Sequence, residues 1–231
     1  MRLYKLTDEN NQTYNECQWG EGIEHTADGK GILCTHHWLH AYSDPRIAVI
    51  MNAIHSDFEN PILWEATGDV GIEDGDLKVG CTRLKTLGII PLPNISMEQK
   101  VKFAIYCAKQ IYSEKKWDKW ASSWLSEEDR SLEKAELAVK LATWFVGAAQ
   151  SAARSAARAA QSAAQAARAA VRSEELAESE QASWAAKSVA GWAARSTEWA
   201  TQSVRWEEKT HMRFYPNQRF DIFKALQDAG I

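Results

Sequence analysis

Hydrophobic and polar positions follow two different periods along the chain, and the change falls near residue 95. Before it, RLYKLT (2–7) and the two apolar stretches that flank GIEDGD (71–76) predict strands. Pro45, preceded by Ser43 or Asp44 as a cap, indicates the start of a helix. These elements predict an α+β fold class: a small mixed N-terminal domain, residues 1–95, with one helix against a mainly antiparallel sheet.

After PLPN (91–94) the apolar positions recur at helical spacing, so residues 96–231 are predicted to form a second, helical domain. Ser96 and Gln99 match a capping box. No proline occurs between there and Tyr215, and a start signal at Ser126 is repeated at Ser173. We therefore predict a long Ala/Trp-rich antiparallel helical hairpin or bundle, with its turn near residues 172–179.

The alanine-rich stretch 151–173 is amphipathic, because arginine and glutamine occupy one side of the predicted helix and alanine the other. A flat alanine face lets a second helix approach closely. Tryptophan recurs every seven or eight residues along the following helix, so we expect the large indoles to pack against the small alanines. The residues of this second stripe are Trp184, Trp192, Trp199 and Trp206.

Eleven tryptophans are many for 231 residues, and Trp and Arg are the side chains that dominate binding hot spots. Some of them are therefore expected at an interface with a second copy or with another protein, while burial of most of them remains the alternative. The candidate protein-binding residues are Trp117, Trp120, Trp124, Trp192, Trp199, Trp206, Arg154, Arg158, Arg168 and Arg172.

Charge and composition narrow the classes of partner. The net charge is −4, and the basic residues of the second half are too few for the clustered patch of a nucleic-acid-binding domain. There is no apolar run of membrane-spanning length and no secretory leader at the start, and the alanine face has few large apolar residues to enter a lipid surface. Four scattered cysteines fit reduced thiols, so we expect a cytoplasmic protein with no membrane or nucleic-acid partner.

The first domain contains two sets of residues with candidate chemistry. Cys34, His36 and His40 carry donor types that bind transition metals, and on a strand they would share one face. The order of Tyr4 or Lys5, Tyr42 or Ser43, and Glu65 has a likeness to the layout of ADP-ribosyltransferases, and that resemblance implies NAD as substrate. For both sets the structural alternative is favoured: locally bonded imidazoles, tyrosines at the core margin and a glutamate on an edge strand. The leading expectation is accordingly no catalytic residue, no cofactor and no metal.

The segment from LYKLTDENNQTY to LKVGCTRLKTLGIIPLP resembles an uncharacterised domain family of bacteriophage and prophage proteins. Its pattern of a Leu-Cys pair, an aromatic residue, a histidine and a Pro-led helix is matched by Leu33, Cys34, Trp38, His40 and Pro45. His37 stands where that family often has glycine. WASSWLSEEDRS and the alanine-rich helices that follow are similar to Ala-rich helical immunity proteins.

These resemblances imply a mobile-element setting in a bacterial host cell, where small proteins commonly act by binding and blocking other proteins. The function expected from the sequence is a phage-encoded, non-enzymatic protein-binding protein that self-associates through its helices. A counter-defence or host-takeover inhibitor is its concrete form. The alternatives are an ADP-ribosyltransferase-like enzyme in the first domain, or a structural and oligomerisation adaptor.

Overall fold

The computed structural model describes residues 1–148, 152–176, 181–210 and 220–231. The chain divides into two units, Met1–Asn94 and Ile95–Ile231, and each is described by itself. Both helices and antiparallel sheet are present, as the α+β fold class predicts.

Apart from a short 3-10 helix at Tyr14–Glu16, the first unit, which is described throughout, contains one helix and seven strands. They are β1 Arg2–Thr7, β2 Gln12–Thr13, β3 Cys17–Gln18, β4 Glu24–Thr26, β5 Leu39–Ala41, α1 Pro45–His55, β6 Ile62–Asp74 and β7 Lys78–Ile90. The prediction of α1 is confirmed: the Asp44 carboxylate accepts a hydrogen bond from Arg46 N at 2.8 Å, and Pro45 occupies the first turn. The two predicted strands around GIEDGD are confirmed as the β6–β7 hairpin.

The β6–β7 hairpin organises the sheet, because β1 pairs with β6 while β4 and β5 both pair with β7. Just past the end of β5, Tyr42 exchanges two backbone hydrogen bonds with Tyr4 of β1, at 2.8 and 2.9 Å. The strand pairings therefore close into a ring, β1–β6–β7–β5 and back to β1.

Strand register assigns side chains to the two faces of this sheet, since residues directly opposite each other in a ladder share a face. One face carries an apolar core. Its members are Leu3, Ala41, Ala66, Val79, Cys81 and Leu84, with Trp19 packed against them. The opposite face carries His40 across from Gly80, and Tyr42 across from Tyr4. Helix α1 contacts this second face through His55, whose ring lies beside that of Tyr42.

The segment GILCTHHWLHAY forms much less strand than its apolar character suggests, since only Leu39–Ala41 is extended in the sheet. Gly29 and Gly31 adopt positive φ angles of 67° and 71°, which turn the chain before Cys34. The imidazole of His40 then bonds the backbone oxygen of Leu33. The expectation that Cys34 and His36 share one face of a strand is therefore wrong, because both residues lie in a hydrogen-bonded turn before the strand.

In the described residues of the second unit there are six helices. They are α2 Met97–Lys109, α3 Lys115–Leu125, α4 Leu132–Ala148, α5 Ala152–Glu175, α6 Gln181–Thr210 and α7 Ile222–Asp228. The capping box of α2 is confirmed, with Ser96 Oγ accepting from Gln99 N at 3.1 Å and Gln99 Oε1 accepting from Ser96 N at 2.9 Å.

The predicted helix start at Ser126 is wrong, because this segment ends α3 instead of beginning the next helix. Ser126 N donates to Ser122 O, and Glu127 adopts a left-handed φ of 66°. Arg130 then folds back, with its guanidinium 4.4 Å from the ring centre of Trp124 and a hydrogen bond to the Trp124 carbonyl. Helix α4 starts only at Leu132.

The single long leg expected from residue 126 to residue 172 is two helices, α4 and α5, that pack together. They run antiparallel, since Gln161 bonds Thr143 at 2.8 Å whereas Arg172 pairs with Glu136 at 3.2 Å. The turn predicted near residues 172–179 lies partly outside the described residues: α5 ends at Glu175 and α6 begins at Gln181.

Helix α5 is surrounded, because α2, α4 and α6 all pack against it. Nine of its alanines are buried: Ala156, Ala157, Ala159, Ala160, Ala163, Ala164, Ala166, Ala167 and Ala170. Small side chains let neighbours reach the helix backbone itself. Ser196 Oγ lies 3.0 Å from the carbonyl oxygens of both Ala104 and Ala159, and the Trp117 indole donates to Ala160 O at 3.2 Å. Alanine is thus used to bring helices close on several sides.

Candidate functional site

Trp117, Trp120 and Trp124 of α3 are buried inside the second unit. The ring centres of Trp117 and Trp120 lie 5.5 Å apart, and the Trp117 ring meets Tyr112 edge-on at 5.4 Å. Their helical spacing was recognisable in the sequence, but it could not say which way the stripe would face. Because all three indoles are buried, they are not available to contact a partner.

The tryptophan stripe of α6 does not supply the bulk that was expected to bury the alanines. Small side chains line the buried face of α6 instead: Ala185, Val189, Ala193, Ser196, Thr197, Ala200 and Ser203. Trp184 is 74% exposed, and Trp192 and Trp199 are half-buried. The Trp206 side chain lies outside the described residues. The reason is the close approach of α5 and α6, which leaves no room for an indole between them.

The predicted arginine row is divided among neighbouring helices. Arg158 stacks on the Trp199 ring at 4.4 Å, and Arg172 pairs with Glu136 of α4. Arg168 is half-buried, and Arg154 is exposed. Arg158 and Arg172 therefore serve contacts within the bundle.

A different surface, on α4, was missed in the sequence. Its alanines Ala135, Ala138 and Ala142 are fully buried, whereas Leu137 is 50% exposed and Trp144 is 68% exposed. The outward side runs through Glu133, Leu137, Lys140 and Trp144, and we call these four residues the α4 stripe. The available signal was the small-residue spacing 135–138–142, which marks the inner face and so places the large apolar residues outside.

The first unit carries a second candidate, a polar group on the sheet face that α1 contacts. We call it the Lys78 cluster; its members are Cys34, His40, Tyr42, His55 and Lys78. Lys78 Nζ lies 3.4 Å from Cys34 Sγ, and the Tyr42 hydroxyl lies 3.0 Å from His55 Nδ1. His40 stands opposite Gly80 in the β5–β7 ladder, two residues from Lys78 along β7. Residues from four segments are thereby gathered around one ammonium group.

Burial and the Lys78 charge set the protonation of this cluster. Desolvation, followed by the charges of Lys78 and His40, lowers the pKa of His55 to about 3. Desolvation also lowers the pKa of His40; its bond to Leu33 O opposes this shift, and the charges of Lys78 and Lys5 add to it. Burial raises the pKa of the Tyr42 phenol. At neutral pH both imidazoles and the phenol are uncharged, and Lys78 supplies the positive charge.

Lys5 is a second buried lysine, and its side chain lies on the core face of the sheet. Its Nζ donates to His40 O at 2.8 Å and lies 4.9 Å from the Trp19 ring centre. Desolvation lowers the pKa of Lys5 from 10.5 to about 8, against a raising effect from Cys17 and Cys81. No carboxylate among the described residues pairs with it.

The structure brings Tyr4, Tyr42 and Glu65 next to one another, since Tyr4 faces Glu65 in the β1–β6 ladder and Tyr42 across the ring closure. Their functional groups are committed elsewhere, however. The Tyr42 hydroxyl is buried against His55, and Glu65 forms an ion pair with Arg2 at 2.8 Å. The three residues are therefore neighbours in the sheet, but their reactive groups do not converge on one point.

The three residues of the metal-site alternative also have other partners. Cys34 contacts Lys78, His40 bonds Leu33 O, and His36 stacks on His37 with ring centres 3.9 Å apart. Across the described part of the chain, no group of three or more His, Cys, Asp or Glu residues is arranged to hold a metal ion.

No family model matches this chain, and neither a curated protein nor a solved structure is significantly similar to it. Among the helices in the described ranges, none combines the length and apolar character needed to cross a membrane. The function must therefore be argued from the surfaces described above.

Proposed function

We propose that the chain is a non-enzymatic protein-binding protein that self-associates through the α4 stripe. The observation that carries the proposal is the inverted amphipathicity of α4: its alanines are buried, while Leu137 and Trp144 face outward. Burying apolar surface is favourable by roughly 25 cal/mol per Å², so a helix that exposes large apolar side chains is stabilised when a partner covers them.

A second copy of the chain fits this stripe by charge. Glu133 and Lys140 are exposed, lie one turn to either side of Leu137 and form no ion pair within the described residues. If two α4 helices cross antiparallel at Leu137, Glu133 of each meets residues 140–141 of the other. The stripe is thus self-complementary in charge and apolar at its centre, which is the requirement of a two-fold interface.

The same proposal includes binding of a different protein. The exposed Trp184, together with the Arg158–Trp199 pair and Arg195 stacked on Trp192 at 4.9 Å, supports a second protein-binding surface on α6. The phage resemblance favours a bacterial host or defence protein as its partner, in the cytoplasm. The structural alternative is an adaptor in the phage particle, and detection of the chain in purified virions would favour that alternative.

Removal of the two large residues of the α4 stripe is expected to dissociate the dimer. Truncating an aromatic hot-spot side chain costs about 2 kcal/mol or more, which raises the dissociation constant about thirtyfold. In sedimentation velocity the wild type should run as a dimer and Leu137→Ser/Trp144→Ser as a monomer. Trp184→Ser is the matched control, because it removes an equally exposed indole from another helix and should stay dimeric.

A charge exchange tests the register of the same interface. Glu133→Lys should weaken association by placing like charges together, and Glu133→Lys/Lys140→Glu should restore it. A wild-type chain that stays monomeric over the accessible concentration range would overturn self-association. Dissociation by Trp184→Ser instead would move the interface to α6.

NAD is expected to leave the melting temperature of the full chain unchanged, because the Tyr42 hydroxyl is buried and Glu65 is paired with Arg2. A ligand that binds only the native state stabilises it by RT ln(1 + L/Kd), where L is the free ligand concentration, so the melting temperature keeps rising with ligand concentration above Kd. The measurement is a thermal melt across an NAD titration. A concentration-dependent rise that Glu65→Gln abolishes would favour the ADP-ribosyltransferase-like alternative over the proposed one.

A further inference from the structure

We propose that Cys34 is a reactive thiolate that forms mixed disulfides with small-molecule disulfides, and that the buried Lys78 is the positioning residue that stabilises it. The proposal concerns the first unit and is independent of self-association through α4.

The geometry places an accessible thiol against a buried cation. Cys34 is exposed, whereas Lys78 is only 8% exposed, and the two meet at 3.4 Å between Sγ and Nζ. A small disulfide can therefore reach the sulfur from solvent while the ammonium group approaches it from the protein side. An adjacent cation is the feature that favours the thiolate form of cysteine.

Lys78 stands directly opposite Asp74 in the β6–β7 ladder. Within the described residues its ammonium group forms no ion pair with a carboxylate, and Cys34 Sγ is the hydrogen-bond partner of its Nζ. A buried ammonium group is unfavourable when no opposite charge contacts it, so ionisation of the Cys34 thiol, 3.4 Å from Nζ, is favoured. The facing groups of the cluster do not compete for that role, because His40, His55 and Tyr42 are all uncharged at neutral pH.

The turn that carries Cys34 is held in place on both sides. His40 Nε2 bonds the oxygen of Leu33, and Thr35 donates its backbone N to the same oxygen and its hydroxyl to Ile32 O, both at 2.9 Å. Leu33 itself is buried. The thiol is therefore presented at a fixed position instead of on a loose loop.

The other three cysteines lack this arrangement. Burial raises the pKa of Cys81 to about 11 and that of Cys107 to about 12, so both stay protonated. Cys17 lies 3.7 Å from His25 Nε2, but that nitrogen is also 2.8 Å from Gln18 O and must carry a proton to bond it. His25 Nε2 is consequently no base for Cys17.

The reaction balances without a further reagent. The Cys34 thiolate attacks one sulfur of the small disulfide; a new S–S bond forms as the original S–S bond breaks. The departing thiolate takes a proton from solvent, and Cys34 is oxidised while half of the small disulfide is reduced to a thiol. A second thiol reverses the step, so the modification is reversible.

The test is the pH dependence of the reaction with 4,4′-dithiodipyridine, an uncharged disulfide probe, on the full chain carrying Cys17→Ser. Peptide mass mapping should place the modification on Cys34. The midpoint of the pH–rate profile should lie at least about one unit below the ordinary thiol value of about 8.5. In Lys78→Met it should return to that value, and the rate at pH 7 should fall several-fold. The rate falls less than the thiolate fraction because a more basic thiolate is the better nucleophile.

Two variants separate electrostatics from structure. Lys78→Arg keeps the charge and should retain most of the shift in the midpoint, whereas Lys85→Met removes a charge from the same strand and should leave the profile unchanged. A wild-type midpoint near 8.5, or one that Lys78→Met does not move, would overturn the proposal. If Lys78→Met does not fold, the wild-type midpoint and that of Lys78→Arg decide the question by themselves.

Discussion

Replacing Trp117 with alanine is expected to lower the free energy of unfolding of the helical unit by about 3–5 kcal/mol, the usual cost of removing a large buried aromatic side chain. Trp117 is fully buried, and its indole N–H bonds the carbonyl of Ala160 in the central helix α5. The substitution leaves a cavity between α3 and α5 and takes away that bond. Urea unfolding of the full chain, followed by helical circular dichroism, measures the loss.

The matched control for this prediction is Trp184→Ala, the same chemical change on an indole that is 74% exposed. Surface substitutions of this kind usually change stability by within about 0.5 kcal/mol. Equal losses in the two variants would contradict the assignment of Trp117 to the core and Trp184 to the surface.

Replacing Lys5 with methionine is expected to stabilise the first unit most at neutral pH, with an advantage that declines as the pH rises. Folding lowers the pKa of Lys5 from 10.5 to about 8, so between these values the unfolded chain binds more protons. Stability contributed by this lysine therefore increases across that window and is constant below it. A shift of this size corresponds to about 3 kcal/mol between pH 7 and pH 10.5, at roughly 1.36 kcal/mol per unit.

The quantity to measure is the difference in unfolding free energy between wild type and Lys5→Met at each pH. The raised pKa of Cys81 acts in the opposite direction above pH 9 and is coupled to the Lys5 charge, so the difference is compared between pH 7 and pH 9. A difference that does not vary with pH would show that Lys5 titrates as it does in the unfolded chain.

The two buried lysines give the first unit its chemical character, and the sequence did not reveal that either is buried. Lys5 was considered only as an alternative to Tyr4 on the first strand. Lys78 opens a strand and is separated from Cys34 by 44 residues. A lysine becomes notable only when its surroundings exclude water and carboxylates, and no local pattern reports that.

For the candidate surfaces of the helical unit, too, the sequence pattern did not reveal which side chains are buried. Periodicity correctly grouped Trp117, Trp120 and Trp124 on one stripe and the alanines of α5 on another. It could not decide that the first stripe would be inside, or that α5 would be enclosed on several sides. Those outcomes depend on which helices approach each other and how closely. The periodicity of a single helix determines neither its packing partners nor the distance to them.

The sequence alone determined local features, namely the starts of helices and the position of a turn. Asp44 with Pro45 set the start of α1, Ser96 with Gln99 set the start of α2, and the Gly/Asp turn joined β6 to β7, because caps and turns are satisfied by backbone groups a few residues away. The tertiary structure decided which faces are covered, which tryptophans remain outside and which lysine meets a thiol. Burial and charge pairing are properties of groups far apart in the chain, so only the folded arrangement of the helices and strands could fix them.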